Sequence, residues 1–196
     1  MVSDGEKLKQ MKIYYLFMHA DGESSLPEKH YLDDILAKSD LPTESAREFQ
    51  AYCKQTAPVL SAETSKSVIE KIDGILGEKS TRPRGLSFFE TLDCDKILQA
   101  QTIWTLINLG YADSEYSEAE KRVVDHLVQR WSLDPVLVAE FNDTADTILA
   151  LTLQKEWVRK TARPSADIDL MIQELDQNIA SMLVNVEISI SEADIA

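Results

Sequence analysis

Two ten-residue segments that lie 92 positions apart share one polar pattern, and this match constrains the fold more than any other feature. Residues 20–29 read Ala-Asp-Gly-Glu-Ser-Ser-Leu-Pro-Glu-Lys, and residues 112–121 read Ala-Asp-Ser-Glu-Tyr-Ser-Glu-Ala-Glu-Lys, so six of the ten positions are identical. The same offset pairs Phe49 with Phe141. A match at a fixed offset predicts an internal repeat, so we expect two related halves.

Apolar residues recur at three- and four-residue spacings through most of the chain, which is the pattern of amphipathic helices. With six glycines and six prolines in 196 residues, the sequence also disfavours a turn-rich β-sandwich. We therefore predict an all-α helical bundle of about eight helices forming a single domain over 1–196. Its predicted parts are half A at about 6–77, a linker at 77–87, half B at about 93–162 and a C-terminal helix at about 165–192.

Each repeated segment contains the Ser-x-x-Glu pattern of a helix capping box. In such a box the Ser hydroxyl accepts a first-turn backbone N–H, and the Glu carboxylate accepts the N–H of the Ser. Ser25 with Glu28 and Ser117 with Glu120 fit this pattern, which gives all four residues a structural role.

The capping boxes leave the earlier carboxylates of both segments unexplained. Two interpretations remain open: Asp and Glu close local turns beside a helix N-terminus, or the segments bind a hard cation. Oxygens at positions 1, 3, 5 and 8 of a tight loop suit Ca²⁺ or Mg²⁺, although the spacing is not that of an EF-hand. The predicted metal ligands are Asp21, Glu23, Glu28, Asp113, Glu115 and Glu120.

These residues resemble the signature of the tellurite-resistance TerB family and its TerB-like relatives. The signature is an Ala-Asp-Gly-Glu turn followed by a Glu-Lys helix start, found here at 20–23 with 28–29 and at 112–115 with 120–121. The resemblance implies a TerB-like helical fold with two related halves, a divalent cation on the acidic residues, and a non-enzymatic adaptor role in bacterial stress response. The second turn departs from the signature because Ser114 replaces glycine, and it is strained if the turn needs a positive φ there.

No sequence motif for nucleotide binding, zinc proteolysis or serine hydrolysis is present. We therefore assign no catalytic residue and no residue for an organic cofactor, and we favour a non-enzymatic protein. The alternative is a metal-dependent hydrolase that uses Asp21, Glu23 and Glu28, with His19 as a ligand or general base.

Charge and hydropathy narrow the class of partner. With 34 acidic and 20 basic side chains the net charge is −14, which disfavours nucleic-acid binding and favours a protein partner that is still unidentified. The longest uncharged stretch, 97–112, is shorter than the roughly 20 residues of a transmembrane helix. We find no secretion signal and expect a cytoplasmic protein.

The C-terminal helix carries a seam of apolar residues spaced 4, 3, 4, 3 and 4 apart, as in a coiled coil. Two interpretations remain open: the helix packs on its own domain, or it docks a partner or forms a homodimer through 168–190. The seam consists of Ile168, Ile172, Leu175, Ile179, Met182 and Val186.

Overall fold

The computed structural model describes residues 2–60, 64–77, 92, 95–161 and 164–193. Over these residues the fold is all-α, without β-strands, as predicted. The eight helices are α1 (Asp4–Phe17), α2 (Leu26–Lys38), α3 (Thr43–Leu60), α4 (Ser65–Leu76), α5 (Lys96–Gly110), α6 (Glu118–Trp131), α7 (Pro135–Arg159) and α8 (Ser165–Glu192). None of them is both long enough and apolar enough to cross a bilayer. Except for Gly77, the predicted linker lies outside the described residues.

Local signals set most helix boundaries. Asp134 accepts the backbone N–H of Val136 and caps α7, whose first residue is Pro135. Pro58 lies two residues before the end of α3, where its missing N–H removes only one hydrogen bond of the last turn. Ser165 is the first residue of α8 rather than its cap, and Pro164 occupies the cap position.

Helices α1 and α5 form the centre of the bundle. Both contribute side chains that are fully excluded from solvent, including Phe17 on α1 and Leu106 on α5. Helices α3 and α4 pack on α1, and α6, α7 and α8 pack on α5, while α2 contacts both central helices. The two central helices also contact each other, and α4 packs on α6. The two sets of helices are therefore interlocked in one bundle.

The two sets of helices follow the 92-residue offset of the sequence. Helices α1, α2 and α3 begin exactly one offset before α5, α6 and α7. Gln10 on α1 donates its side-chain N–H to the hydroxyl of Thr102 on α5 at 2.9 Å, and these two positions are themselves 92 apart. The helix starts and this contact agree with the offset, while the internal repeat itself stays a prediction.

Beyond the shared core, α7 and α8 continue as a two-helix arm, which we call the distal hairpin (146–159 and 165–185). The hydrophobic core ends at Ala145 on α7 and resumes at Val186 on α8. Val158 and Leu175 are buried within the hairpin but are not part of that core. The six predicted seam residues are all buried or half-buried, and α8 packs mainly along α7. This supports the interpretation in which the seam packs on its own chain; homodimerisation stays a prediction.

Two helical glycines provide a matched test of packing. A Cβ atom on Gly110 would lie 2.5 Å from a ring carbon of Tyr116, whereas a Cβ on Gly74 would meet nothing within 4 Å. We expect Gly110→Ala to destabilise the protein by about 1–3 kcal/mol through overpacking. Gly74→Ala should stabilise it by about 0.5–1 kcal/mol through helix propensity. Urea unfolding curves of both variants measure the difference, and equal effects would contradict the packing shown by the structure.

Candidate metal centre

Each central helix leads into an acidic turn of the same construction. After α1, the carboxylate of Asp21 accepts the backbone N–H of Glu23 at 2.9 Å. After α5, Asp113 accepts the N–H of Glu115 at 3.0 Å. Both are side-chain-closed turns of the kind that Asp favours, so one oxygen of each aspartate is occupied by its own backbone.

The residue after each aspartate has a positive φ. Gly22 lies at φ 88° and Ser114 at φ 73°. Glycine adopts this conformation without strain, whereas a serine side chain crowds the backbone there. The strain expected for Ser114, if the turn needed a positive φ, is therefore present.

Both predicted capping boxes form, with closely similar distances. Ser25 donates its backbone N–H to Glu28 at 2.6 Å, and Ser117 donates to Glu120 at 2.7 Å. Each Ser hydroxyl accepts the N–H of its Glu at 3.3 Å. The boxes hold both Glu side chains inward, where they are buried.

The structure brings the two turns together around one cavity of about 220 Å³. Five of the six predicted ligands line it, together with three serines, and no basic residue does. The sequence presented the turns as two separate candidate sites, whereas the fold makes them opposite walls of one. Glu120 is the exception, since it is buried close by but does not line the cavity. The lining residues are Asp21, Glu23, Ser24, Ser25, Glu28, Asp113, Glu115 and Ser117.

The carboxylates of the two turns interact electrostatically. Burial raises the pKa of Glu28, and the negative charges of Asp113 and Asp21 raise it further. Burial also raises the pKa of Glu120, to about 7, and Glu28 and Asp21 from the other half of the chain add to the effect. The site thus concentrates negative charge that its own residues do not neutralise.

Within the described residues, no three acidic, histidine or cysteine side chains are grouped so as to hold one ion directly. Asp21, Asp113 and Glu28 each direct one carboxylate oxygen to a nearby backbone N–H. Glu23 and Glu115 are exposed on the rim and have no such bond within the described part of the chain. A cation in this cavity would therefore be held partly through water, or after the two rim glutamates turn inward.

His19 lies near the first turn but does not line the cavity. Its Nδ1 is 2.9 Å from the carbonyl oxygen of Tyr15, and its ring lies against the Tyr15 ring with 4.8 Å between centroids. Partial burial lowers the pKa of His19. The structure places His19 outside the cavity but within electrostatic range of Asp21.

Sequence reasoning missed part of the cavity wall. Ser24 was given no role, and Ser25 and Ser117 supplied position 5 of each predicted loop but were left out of the predicted ligands, yet all three line the cavity. Each lies within the repeated segments, so the signal was proximity to the acidic residues. Tyr116 was also missed; its ring packs on Tyr111, with centroids 5.1 Å apart, and supports the second turn.

Comparison with known proteins gives no further guide to this site. No protein-family model matches the chain, and neither the curated proteins nor the solved structures contain a match.

Reciprocal substitutions test the backbone of the two turns. Gly22→Ser should cost about 1–2 kcal/mol, because it places a side chain at a positive φ. Ser114→Gly should raise the unfolding free energy by up to about 1 kcal/mol. The gain from relieving the strain is partly offset, because glycine has more conformational freedom in the unfolded chain. Denaturant unfolding in EDTA gives both values, and a stabilising Gly22→Ser would contradict the observed turn geometry.

The raised pKa of Glu120 predicts a pH dependence of stability. Since the folded state holds the Glu120 proton up to about pH 7, and an ordinary Glu loses it near 4.5, the folded state binds more protons between these values. The protonated Glu120 therefore makes its full contribution to the unfolding free energy below about pH 4.5, and this contribution is lost as the pH rises through about 7. Glu120→Gln should flatten this decline in unfolding free energy.

Glu118→Gln is the matched control for the pH series. Glu118 belongs to the same helix start, but it is exposed and its pKa is lowered by the neighbouring Lys121. This variant should keep the decline between pH 4.5 and 7. Parallel slopes for wild type and Glu120→Gln would contradict the assignment.

Proposed function

We propose that the protein is a non-enzymatic, divalent-cation-binding adaptor in which one cation is shared by two duplicated acidic turns. One observation carries the proposal: turns from opposite halves of the chain line a single cavity, and no basic side chain lines it. A cation there would interact with both halves at once and hold them together.

The charges of the cavity favour a divalent ion. Five carboxylates face it, and the pKa of Glu28 is raised in part by Asp113 across the cavity. A bound cation would reverse this repulsion, because it stabilises the ionised form of every carboxylate near it. Carboxylate oxygens are also the ligands that Ca²⁺ and Mg²⁺ prefer.

The size of the cavity fits an ion together with its water. A volume of about 220 Å³ equals roughly seven waters at about 30 Å³ each. Mg²⁺ usually keeps several of its waters in proteins, and Ca²⁺ accepts six to eight oxygens in flexible geometry. Both ions are compatible with aspartates that have one oxygen committed to their turns.

The hydrolase alternative receives less support from the site. It requires His19 to face the cavity together with the carboxylates, and His19 does not line the cavity. The TerB-like identity and the role in bacterial stress response rest on the resemblance of the two turns, and they stay proposals, as does a cytoplasmic location.

Calorimetric and thermal titrations with Ca²⁺ and Mg²⁺ test the shared site. We expect one ion per chain and an increase in unfolding free energy of about 2.7 kcal/mol at 100 times the dissociation constant. Asp21→Asn and Asp113→Asn, which keep an oxygen to close each turn, should each weaken the same single site. If the turns bound separately, wild type would bind two ions and each variant would lose one.

Two controls separate binding from charge screening. Ionic strength is matched with Na⁺, because any salt reduces repulsion among exposed carboxylates. Glu118→Gln removes a neighbouring charge that does not line the cavity, so it should leave the affinity almost unchanged. If neither divalent ion shifts the unfolding transition beyond the Na⁺ control, the proposal is wrong.

A further inference from the structure

Helix α8 carries a second stripe on the side opposite its buried seam. It has the same 4-3-4-3-4 spacing as the seam, and all six of its residues are exposed. Three of them are large apolar residues at the two ends of the stripe, exposed by 58% at Leu170, 53% at Val184 and 50% at Ile188. The stripe consists of Leu170, Glu174, Gln177, Ser181, Val184 and Ile188.

This second stripe is shaped to accept another helix. Side chains at this spacing form the contact surface of a helix that packs along a neighbour at a small crossing angle. From first to last residue it extends about 27 Å, at 1.5 Å per residue. Val184 and Ile188 are four residues apart, so their exposed side chains are neighbours and form one apolar surface at the C-terminal end of the stripe.

The charge of α8 indicates what kind of partner helix could cover the second stripe. Its 28 residues contain six carboxylates and no Lys or Arg. Lys155 on α7 pairs with Asp176, but no ion pair among the described residues engages Glu174, which lies within the stripe. A helix covering the stripe must therefore bring its own positive charge to Glu174, since a buried unpaired carboxylate is costly.

A second copy of the chain does not meet this requirement. Two α8 helices side by side would bring twelve carboxylates together and no cation. In an antiparallel pair the stripe would place Glu174 against Val184 of the other copy, and in a parallel pair against the same glutamate. Either arrangement leaves the carboxylate buried and unpaired.

We propose that the outer stripe of α8 binds a basic amphipathic helix of another protein, with apolar residues facing Leu170, Val184 and Ile188 and a Lys or Arg facing Glu174. Acidic residues at the edge of the stripe speed the encounter with a basic partner, and Glu174 fixes the register. This surface is separate from the cation site, so binding to it does not depend on the proposed metal.

A charge-swap experiment with synthetic peptides tests the proposal. The probe is a fluorescently labelled 21-residue helix with Leu at the contact positions, and Lys at the second or fifth contact position for parallel or antiparallel binding. Its outer positions carry Lys and Gln, and a matched peptide has Glu in place of the contact Lys. Fluorescence anisotropy with the full chain gives the affinities, in EDTA and again with Ca²⁺.

We expect the Lys peptide to bind more tightly than the Glu peptide. Glu174→Lys should weaken the Lys peptide about tenfold and improve the Glu peptide by a similar factor. Val184→Ser with Ile188→Ser should weaken both peptides about tenfold or more. Val136→Ser, at a residue 73% exposed at the start of α7, is the control and should change neither affinity.

Three results would overturn the proposal. The Lys peptide does not bind, or it binds with an affinity that Glu174→Lys leaves unchanged, or the chain alone sediments as a dimer that Val184→Ser with Ile188→Ser converts to monomer. The last result would assign the stripe to a second copy. The substituted residues are exposed, so we expect each variant to fold normally. Circular dichroism spectra and melting temperatures equal to those of wild type would verify this. A loss of cation binding in the separate titrations would not affect this outcome.

Discussion

The mutual burial of α1 and α5 is the constraint on which the rest of the structure depends. Nearly all the apolar side chains of both helices are buried or half-buried, while polar residues such as Lys9 on α1 and Gln101 on α5 still reach solvent along the helices. The chain leaves both helices through an acidic turn, and the packing of the two helices brings those turns together. The site is therefore a product of apolar packing, because the attraction between core side chains holds like charges close to one another.

That arrangement has an electrostatic cost. Burial raises the pKa values of Glu28 and Glu120, and neighbouring carboxylates raise both further, so the ionised form of each is disfavoured. The capping hydrogen bonds act in the opposite direction and keep both side chains pointing inward. A carboxylate used only as a helix cap needs no second acidic turn beside it, and the proposed cation site rests on this surplus of charge.

The sequence predicted what depends on neighbouring residues and missed what depends on distant ones. The capping boxes at Ser25 and Ser117 were confirmed because the interacting groups are three residues apart. The sequence did not predict that Asp21 and Asp113 line the same cavity, because the residues of the two turns carry no information on how α1 and α5 pack. For α8 the periodicity identified the seam from Ile168 to Val186, but a 4-3 spacing specifies a contact and not its partner. Only the structure shows that this seam is covered by α7 and that the stripe on the other side is open.

The contact between Gln10 and Thr102 has an evolutionary consequence. If the halves arose by duplication, the unfused ancestor would have joined two copies at this contact, with the acidic cavity at the subunit interface. Fusion would then have replaced an encounter between molecules by an intramolecular one, at an effective concentration in the millimolar range. It would also have removed symmetry, because in a homodimer every substitution changes both walls of the cavity, whereas a fused chain can change one. Ser114 opposite Gly22, and Tyr116 opposite Ser24, are the differences that such a release allows.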